Sequence, residues 1–175
     1  MFWFLLACHK SSGSLKVGPG PTVADYAGDV ATLLLFAPLG DPEGTPRMLR
    51  ISEADWEFRA GDFWRKADPG TPLAYTMDTD LVVDGQTLLP EEVRVGGAAE
   101  SATIIESGAY EGYYGTFPDT VTVEIKEGPW TGTAIFARDI GLIRYSNDGD
   151  WELTYYERNS EDTVLIDTGP VDTGL

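Results

Sequence analysis

Apolar and polar residues alternate along most of the chain between residues 58 and 157. In the clearest run, Val121, Val123 and Ile125 alternate with threonine, glutamate and lysine. Because successive side chains of a strand point to opposite faces, this alternation predicts strands with one buried and one solvated face. Glycine and aspartate separate the runs at short intervals, which is typical of a sheet of short antiparallel strands.

Several strands and turns can be placed from this pattern. The alternation from Tyr75 to Val83 predicts a strand, and Asp84-Gly85 predicts the hairpin turn after it. Residues 86–95 would form the return strand. Because Pro90 has no amide hydrogen to donate, that strand should lie at a sheet edge or carry a bulge. A C-terminal meander follows, with strands at Thr131–Ala137, Gly141–Ser146 and Trp151–Glu157, a turn at Asn147–Asp150 and one more possible strand at Thr163–Ile166.

The segment before these strands is ambiguous. Thr22 and Asp25 have the spacing of a capping box, and apolar residues follow at helical intervals. The run from Leu33 to Phe36 fits a buried strand equally well. We favour one short helix between Thr22 and Phe36. The predicted fold is therefore mainly β: a curved antiparallel sheet or a partly open barrel, with at most one short N-terminal helix.

The period-two pattern also predicts part of the core. One register should place the apolar phase of each strand inside and the polar phase in water. The side chains expected to be largely buried are Trp64, Val121, Val123, Ile125, Ile143, Trp151 and Leu153.

The first residues differ from the rest of the chain. Residues 1–7 are wholly apolar, and polar residues follow Cys8. The edge formed by Leu5, Leu6, Ala7 and Cys8 resembles the lipobox of bacterial lipoproteins, in which the cysteine becomes lipidated. The apolar run is short and no basic residue precedes it, as expected if the start codon had been placed too far downstream. Cys8 is therefore predicted to be a lipid attachment point; the alternative is that residues 1–7 are a short strand or an expression scar and Cys8 is an ordinary thiol.

These patterns divide the chain into five parts. We assign residues 1–8 to a lipoprotein signal remnant and the Ser-, Gly- and Pro-rich residues 9–21 to a flexible tether. The other parts are an N-terminal helix or loop segment (22–57), an antiparallel β domain (58–157), and a C-terminal strand and tail (158–175).

Composition and charge restrict the function. The chain of 175 residues has a formal net charge of −17, which disfavours nucleic acid as a partner. Its single cysteine forms no disulfide within the chain, and its single histidine, His9, lies in the predicted tether. A histidine-based catalytic triad and a Cys/His zinc site are therefore not expected, and no cofactor or metal is predicted.

Carboxylates provide the remaining candidate chemistry. A glycosidase needs only two acids across a cleft, and the candidates are Asp78, Asp80, Glu106, Glu111 and Glu124. Most of these fall on the polar phase of strands, where solvated carboxylates are expected. Calcium could use Asp78 with Asp80, or the group Asn147, Asp148 and Asp150, but neither set matches a complete calcium loop and a hairpin turn explains the second.

One aromatic cluster is the best candidate for a ligand surface. It comprises Tyr110, Tyr113, Tyr114, Phe117 and Trp130. Such residues could line a groove for sugars or lipids, although packing within a sheet explains them as well.

The C-terminal half resembles a group of uncharacterised bacterial lipoproteins. The resemblance is carried by Phe136–Tyr145 and Trp151–Tyr156, with weaker matches at Gly61–Trp64, Val83–Thr87 and Tyr114–Phe117. It spans residues 61–157 and implies an anchored envelope protein built on a curved antiparallel sheet, with no agreed activity. The chain departs from that pattern at Arg138-Asp139, where a Pro-Gly type of turn is usual.

Three functions are compatible with these observations. The leading one is a non-enzymatic lipoprotein of the bacterial cell envelope, periplasm-facing or surface-exposed, that acts as a structural or binding module. It would contact the membrane through its lipid and could bind a small molecule or a protein. The second is a periplasmic carrier that holds an apolar small molecule or lipid in its curved sheet. The third is a carboxylate hydrolase.

Overall fold

The computed structural model describes residues 20–28, 32–51, 55–60, 72–77, 79–146 and 149–158. Several sequence-based assignments fall on other residues. The lipobox with Cys8, the tether to residue 19, Trp64, Asp78, Asn147 and Asp148 of the predicted turn, and the C-terminal strand lie outside the described residues.

Twelve strands form the fold in the described part of the chain. In chain order they are β1 (Leu33–Pro38), β2 (Arg47–Ile51), β3 (Asp55–Ala60), β4 (Pro72–Met77), β5 (Leu81–Val83), β6 (Gln86–Leu89), β7 (Ala98–Ala99), β8 (Ala102–Gly112), β9 (Gly115–Ile125), β10 (Gly132–Ala137), β11 (Gly141–Ser146) and β12 (Asp150–Glu157).

All these strands belong to one antiparallel sheet whose order almost follows the chain. The order is β6-β5-β4-β3-β2-β1-β12-β11-β10-β9-β8-β7, so only β1 and β12 are neighbours that are distant in sequence. In that pair Phe36 lies opposite Leu153. The sheet is curved and is not closed into a barrel. The predicted mainly β, curved antiparallel fold is confirmed.

The inner face of the curved sheet is filled by large side chains. The cross-strand register places Val123, Ala134 and Tyr145 in one row on this face. Four buried rings pack there: Phe36 lies 5.0 Å from Tyr145, Trp130 lies 5.6 Å from Tyr145, and Trp56 lies 6.4 Å from Trp130, measured between centroids. The aromatic rings thus connect β1, β3 and β11 through the middle of the core.

Edge strand β6 packs beside β8 and β9 at a seam that is held by side chains. The buried Gln86 of edge strand β6 donates from Nε2 to the carbonyl of Glu127 and accepts from the amide of Trp130 at 3.3 Å. Next to this seam, the amides of Gly96 and Ile104 donate to the carbonyls of Ile104 and Gly97, both at 2.8 Å, and so extend the β7–β8 hairpin. The seam therefore brings β6 beside β8 and β9.

A short N-terminal segment is fastened to one end of the sheet. It contains a single 3-10 turn, Val23–Asp25, with the predicted capping box between Thr22 and Asp25. The buried Tyr26 donates its hydroxyl to Asp119 at 2.7 Å, and Arg138 forms an ion pair with the same carboxylate at 2.9 Å. A second ion pair, at 3.6 Å, joins Arg138 to Asp25.

The predicted helix is reduced to this turn, because the run that could have continued it is a strand. Leu33–Pro38 forms β1, and β1 and β2 lie at the centre of the sheet. The boundary drawn at residue 58 is therefore not the start of the sheet, and 22–57 is not a helix or loop segment. A short, wholly apolar run has no periodicity that distinguishes a helix from a buried strand.

Two details of strands β4, β5 and β6 also differ from expectation. The alternation from Tyr75 to Val83 is divided between β4 and β5, which pair with each other as a hairpin. The return strand ends at Leu89, one residue before Pro90. The predicted edge position of that strand is confirmed, since β6 is the edge of the sheet.

The core prediction is confirmed for five of the residues that the structure describes. These buried residues are Val121, Val123, Ile125, Ile143 and Leu153. Trp151 is only half-buried, because it lies at the rim of the inner face beneath the guanidinium of Arg47, 3.9 Å from the ring centroid.

Candidate functional site

The long β8–β9 hairpin folds back over the outer face of the sheet. Its pairing register shifts twice, between Ile104 and Glu106 and again between Gly108 and Tyr110. Bulges of this kind bend and twist a hairpin, and Gly108 has a φ of +150° that favours glycine. The distal part of the hairpin, residues 109–118, is called the hairpin tip below.

The register identifies the row of residues that the hairpin tip covers. On the outer face, Ile135 lies opposite Arg144, and Arg144 lies opposite Glu152. Glu152 in turn lies opposite Ala37 of β1. Ile135, Ala37 and Glu152 are all buried, although they are on the face that points away from the main core.

A tyrosine, a glutamate and an arginine join the hairpin tip to this row. The hydroxyl of Tyr110 donates to Oε1 of Glu152, a residue that is only 4% exposed. Nη1 of Arg144 donates to the same hydroxyl at 3.3 Å. Burial, followed by the hydrogen bond to Glu152, raises the pKa of Tyr110. The hydroxyl therefore stays protonated and keeps donating across the ordinary pH range.

Close packing at Gly112 supports the same arrangement. A Cβ at this position would lie 2.9 Å from Cε1 of Tyr110 and 3.0 Å from Oε1 of Glu152. Only glycine leaves this space for the two side chains.

Two more contacts fix the end of the hairpin tip. The amide of Gly40, in the loop after β1, donates to the hydroxyl of Tyr113. The ring of Tyr114 stacks on Phe117 with a centroid distance of 6.1 Å and lies 5.0 Å from the ring of Tyr156. The hairpin tip is thus held by the loop after β1 together with β11 and β12.

The structure brings together four of the five predicted aromatic residues. Tyr110 and Phe117 are opposite each other in the hairpin and face the sheet, with Phe117 buried. Tyr113 and Tyr114 remain 37% and 46% exposed. Trp130 does not join them, because it is 2% exposed and packs against Trp56 and Tyr145 in the inner core.

Sequence reasoning did not single out Arg144 or Glu152. Both fall on the polar phase of their strands, which ordinarily faces water. The available signal was the length of the β8–β9 hairpin with its several glycines, since a hairpin longer than its neighbours has residues left to cover a second face.

The candidate carboxylates that the structure describes are not gathered into one site. Glu106, Glu111 and Glu124 are exposed, and Glu124 lies 3.7 Å from Lys126 in an ion pair. Asp80 accepts the amide of Glu91 at 2.6 Å, and Asp150 accepts the hydroxyl of Ser146 at 2.5 Å. Within the described ranges, no group of three or more His, Cys, Asp or Glu residues could hold a metal ion.

Comparisons with protein-family models, curated proteins and solved structures find no match to this chain. Among the residues that the structure describes, no helix has the length and apolarity needed to cross a membrane.

Proposed function

We propose that this chain is a non-enzymatic binding module of the bacterial cell envelope, tethered to a membrane through a lipid on Cys8. The hairpin tip is its recognition surface. The observation that carries this role is that the hairpin tip is fastened at several points while Tyr113 and Tyr114 remain exposed.

Exposed aromatic rings on a rigid support are well suited to binding. A partner that covers Tyr114 would bury a large, amphipathic ring, while Phe117 and Tyr156 already restrict the motion of that ring. The entropy that is usually lost on ordering an interface side chain would therefore be small.

Two further features support the proposal. The aromatic rings that pack on the inner face favour a binding surface on the outside of the sheet over a ligand held within it. The apolar edge that ends at Cys8 supports the lipid anchor. The ion pairs of Arg138 with Asp25 and Asp119 would fasten the β-sheet domain to the N-terminal segment that follows the tether.

The anchor is tested by expressing the gene in a bacterium with its natural upstream sequence. We expect the protein to fractionate with membranes and to carry a diacylglycerol mass, and Cys8→Ser to lose both. If the parent and the variant partition equally into the soluble fraction without added lipid mass, the lipoprotein proposal is wrong.

The recognition role is tested separately by photo-crosslinking in the same cells. A photoreactive residue at position 114 should give discrete crosslinked products, and the same residue at the exposed position 95, far from the hairpin tip in sequence, should not. Equal labelling from both positions would contradict a specific role for the hairpin tip.

A further inference from the structure

The surroundings of the hairpin tip indicate the chemistry of its partner. Exposed carboxylates flank the tyrosines on two chain segments: Glu111 in the hairpin tip, and Asp41 and Glu43 in the loop after β1. The two segments are joined directly, because the amide of Gly40 donates to the hydroxyl of Tyr113. The aromatic surface and the carboxylates therefore belong to one region.

Positive charge is missing from the same two segments. Residues 39–46 and 109–118 contain neither lysine nor arginine. Arg47 follows the loop, but its guanidinium lies over the ring of Trp151 at 3.9 Å, and Arg144 donates to Tyr110. The only charged side chains in these two segments are therefore carboxylates, in a chain that has a net charge of −17.

We infer that the hairpin tip and the loop after β1 form a docking surface for a lysine- and arginine-rich segment of a partner protein. A cation over an exposed tyrosine ring is attracted by the ring quadrupole, and nearby carboxylates raise the rate of encounter. Charge complementarity favours this occupant, since an anionic lipid or phosphate would be repelled. The inference rests on the proposed recognition role of the hairpin tip.

The proposed surface requires a partner with several cations in one flexible chain. Asp41, Glu43 and Glu111 are on different segments, so one extended peptide can place separate side chains on them and on the tyrosine rings. Lysine and arginine differ here, because the planar guanidinium stacks on an aromatic face better than the ammonium group does. An arginine-rich peptide should therefore bind more tightly than a lysine-rich one.

The test uses the full chain and two fluorescent peptides of the same length. One peptide alternates arginine with serine, and the other has glutamine in place of every arginine. We expect saturable binding of the arginine peptide alone, with a Kd that rises as salt is added. Equal binding of both peptides, or no binding of the arginine peptide at low salt, would overturn the inference.

Variants of Tyr114 separate the ring from general charge attraction. Tyr114→Ser should raise the Kd by about two- to fivefold, as expected for an exposed cation–π contact. Tyr114→Phe keeps the ring and should bind within about twofold of the parent protein. Unfolding curves for both variants verify that each is folded. If the serine and phenylalanine variants bind equally, the ring has no role in docking.

A matched pair of triple variants tests the location of the surface. The first is Asp41→Asn/Glu43→Gln/Glu111→Gln, and the second neutralises three exposed glutamates elsewhere, Glu91→Gln/Glu106→Gln/Glu124→Gln. Both have the same net charge. We expect the first to weaken peptide binding by about tenfold and the second to have little effect, since steering by distant charges is screened by salt.

Equal losses in the two triple variants would show non-specific attraction and would overturn the inference. Failure of this inference can be distinguished from failure of the proposed function. Discrete crosslinks at position 114 without binding of the arginine peptide would leave the recognition role in place and exclude a basic partner.

Discussion

Glu152 is the residue on which the outer face of the sheet depends most. A buried carboxylate is costly unless its oxygens are hydrogen-bonded, and here the hydroxyl of Tyr110 supplies one such bond. Arg144 lies opposite Glu152 on the neighbouring strand and donates to the same hydroxyl, so the three groups form one network. Removal of any member should affect the others.

The first prediction tests this network through the shared hydroxyl. Tyr110→Phe keeps the ring but leaves Glu152 without this donor. We expect the free energy of unfolding to fall by about 1–3 kcal/mol, the usual cost of an unsatisfied buried polar group. Urea denaturation measures it. Tyr155→Phe, at a tyrosine that is 43% exposed, is the matched control and should change stability by less than about 0.5 kcal/mol. Equal effects would contradict a special role for Tyr110.

The second prediction concerns alkaline pH and Tyr26. Burial, with the hydrogen bond to Asp119, raises the pKa of Tyr26 to about 12 from its ordinary value of 10.0. The unfolded chain therefore releases this proton at a lower pH than the folded protein does. The raised pKa of Tyr26 therefore contributes to the free energy of unfolding in full below pH 10, and this contribution is lost as the pH rises toward 12.

The measurement for Tyr26 is the free energy of unfolding between pH 10 and 12. We expect a decline in the parent protein, of which up to about 2 kcal/mol belongs to Tyr26. Tyr26→Phe should be less stable at neutral pH, because it loses the bond to Asp119, but its decline in this window should be smaller. An unchanged slope would contradict the prediction.

At the scale of elements, the β8–β9 hairpin determines how the outer face is used. Its two bulges and Gly108 turn the hairpin tip onto β11, β12 and the loop after β1, where a flat hairpin would extend into solvent. The fold-back requires space at Gly112, since atoms of Tyr110 and Glu152 lie only 2.9 and 3.0 Å from where a Cβ would be.

Gly112→Ala therefore provides the third prediction. The added methyl group should push Tyr110 away from Glu152 and loosen the hairpin tip, with a loss of about 1–3 kcal/mol in stability. Hydrogen exchange of the Gly40 amide, which donates to Tyr113, should become faster. Gly20→Ala is the control, because nothing lies within 4 Å of the Cβ it would add. Unchanged exchange at Gly40 would show that the fold-back does not depend on Gly112.

The sequence predicted the strands themselves better than the contacts between distant parts of the chain. Alternation located Val121, Val123 and Ile125 in the core because it depends only on neighbours in the chain. The same rule would place Glu152 in solvent, because nothing local indicates that a hairpin from another part of the chain will cover its face. For the same reason Tyr110 and Phe117 were grouped with Trp130, although Trp130 packs in the inner core.

At the scale of the whole molecule, β6 is held beside β8 and β9 by side-chain hydrogen bonds at the seam. Gln86 satisfies the amide of Trp130 and the carbonyl of Glu127 there. Its side chain is nearly buried, so water does not readily replace these bonds.

Gln86→Leu is the fourth prediction. Leucine has a similar volume but offers no hydrogen bond, so we expect a loss of about 1–3 kcal/mol in the free energy of unfolding. Exchange of the Trp130 amide should become faster. Thr116→Val, at an exposed position of β9, is the control and should leave both quantities nearly unchanged. If the amide of Trp130 stays equally protected, Gln86 does not hold the seam.

The pairing of β1 with β12 has a consequence for the speed of folding. Their partners are more than 100 residues apart, whereas the other strand pairs join consecutive segments of chain. A circular permutant that links residue 158 to residue 20 and opens the chain between Arg94 and Val95 makes β12 and β1 consecutive as well. Its contact order is lower, so we expect stopped-flow refolding to be on the order of tenfold faster. Unchanged kinetics would mean that the β1–β12 pair forms after the rate-limiting step, and that the two halves of the sheet fold first as independent meanders.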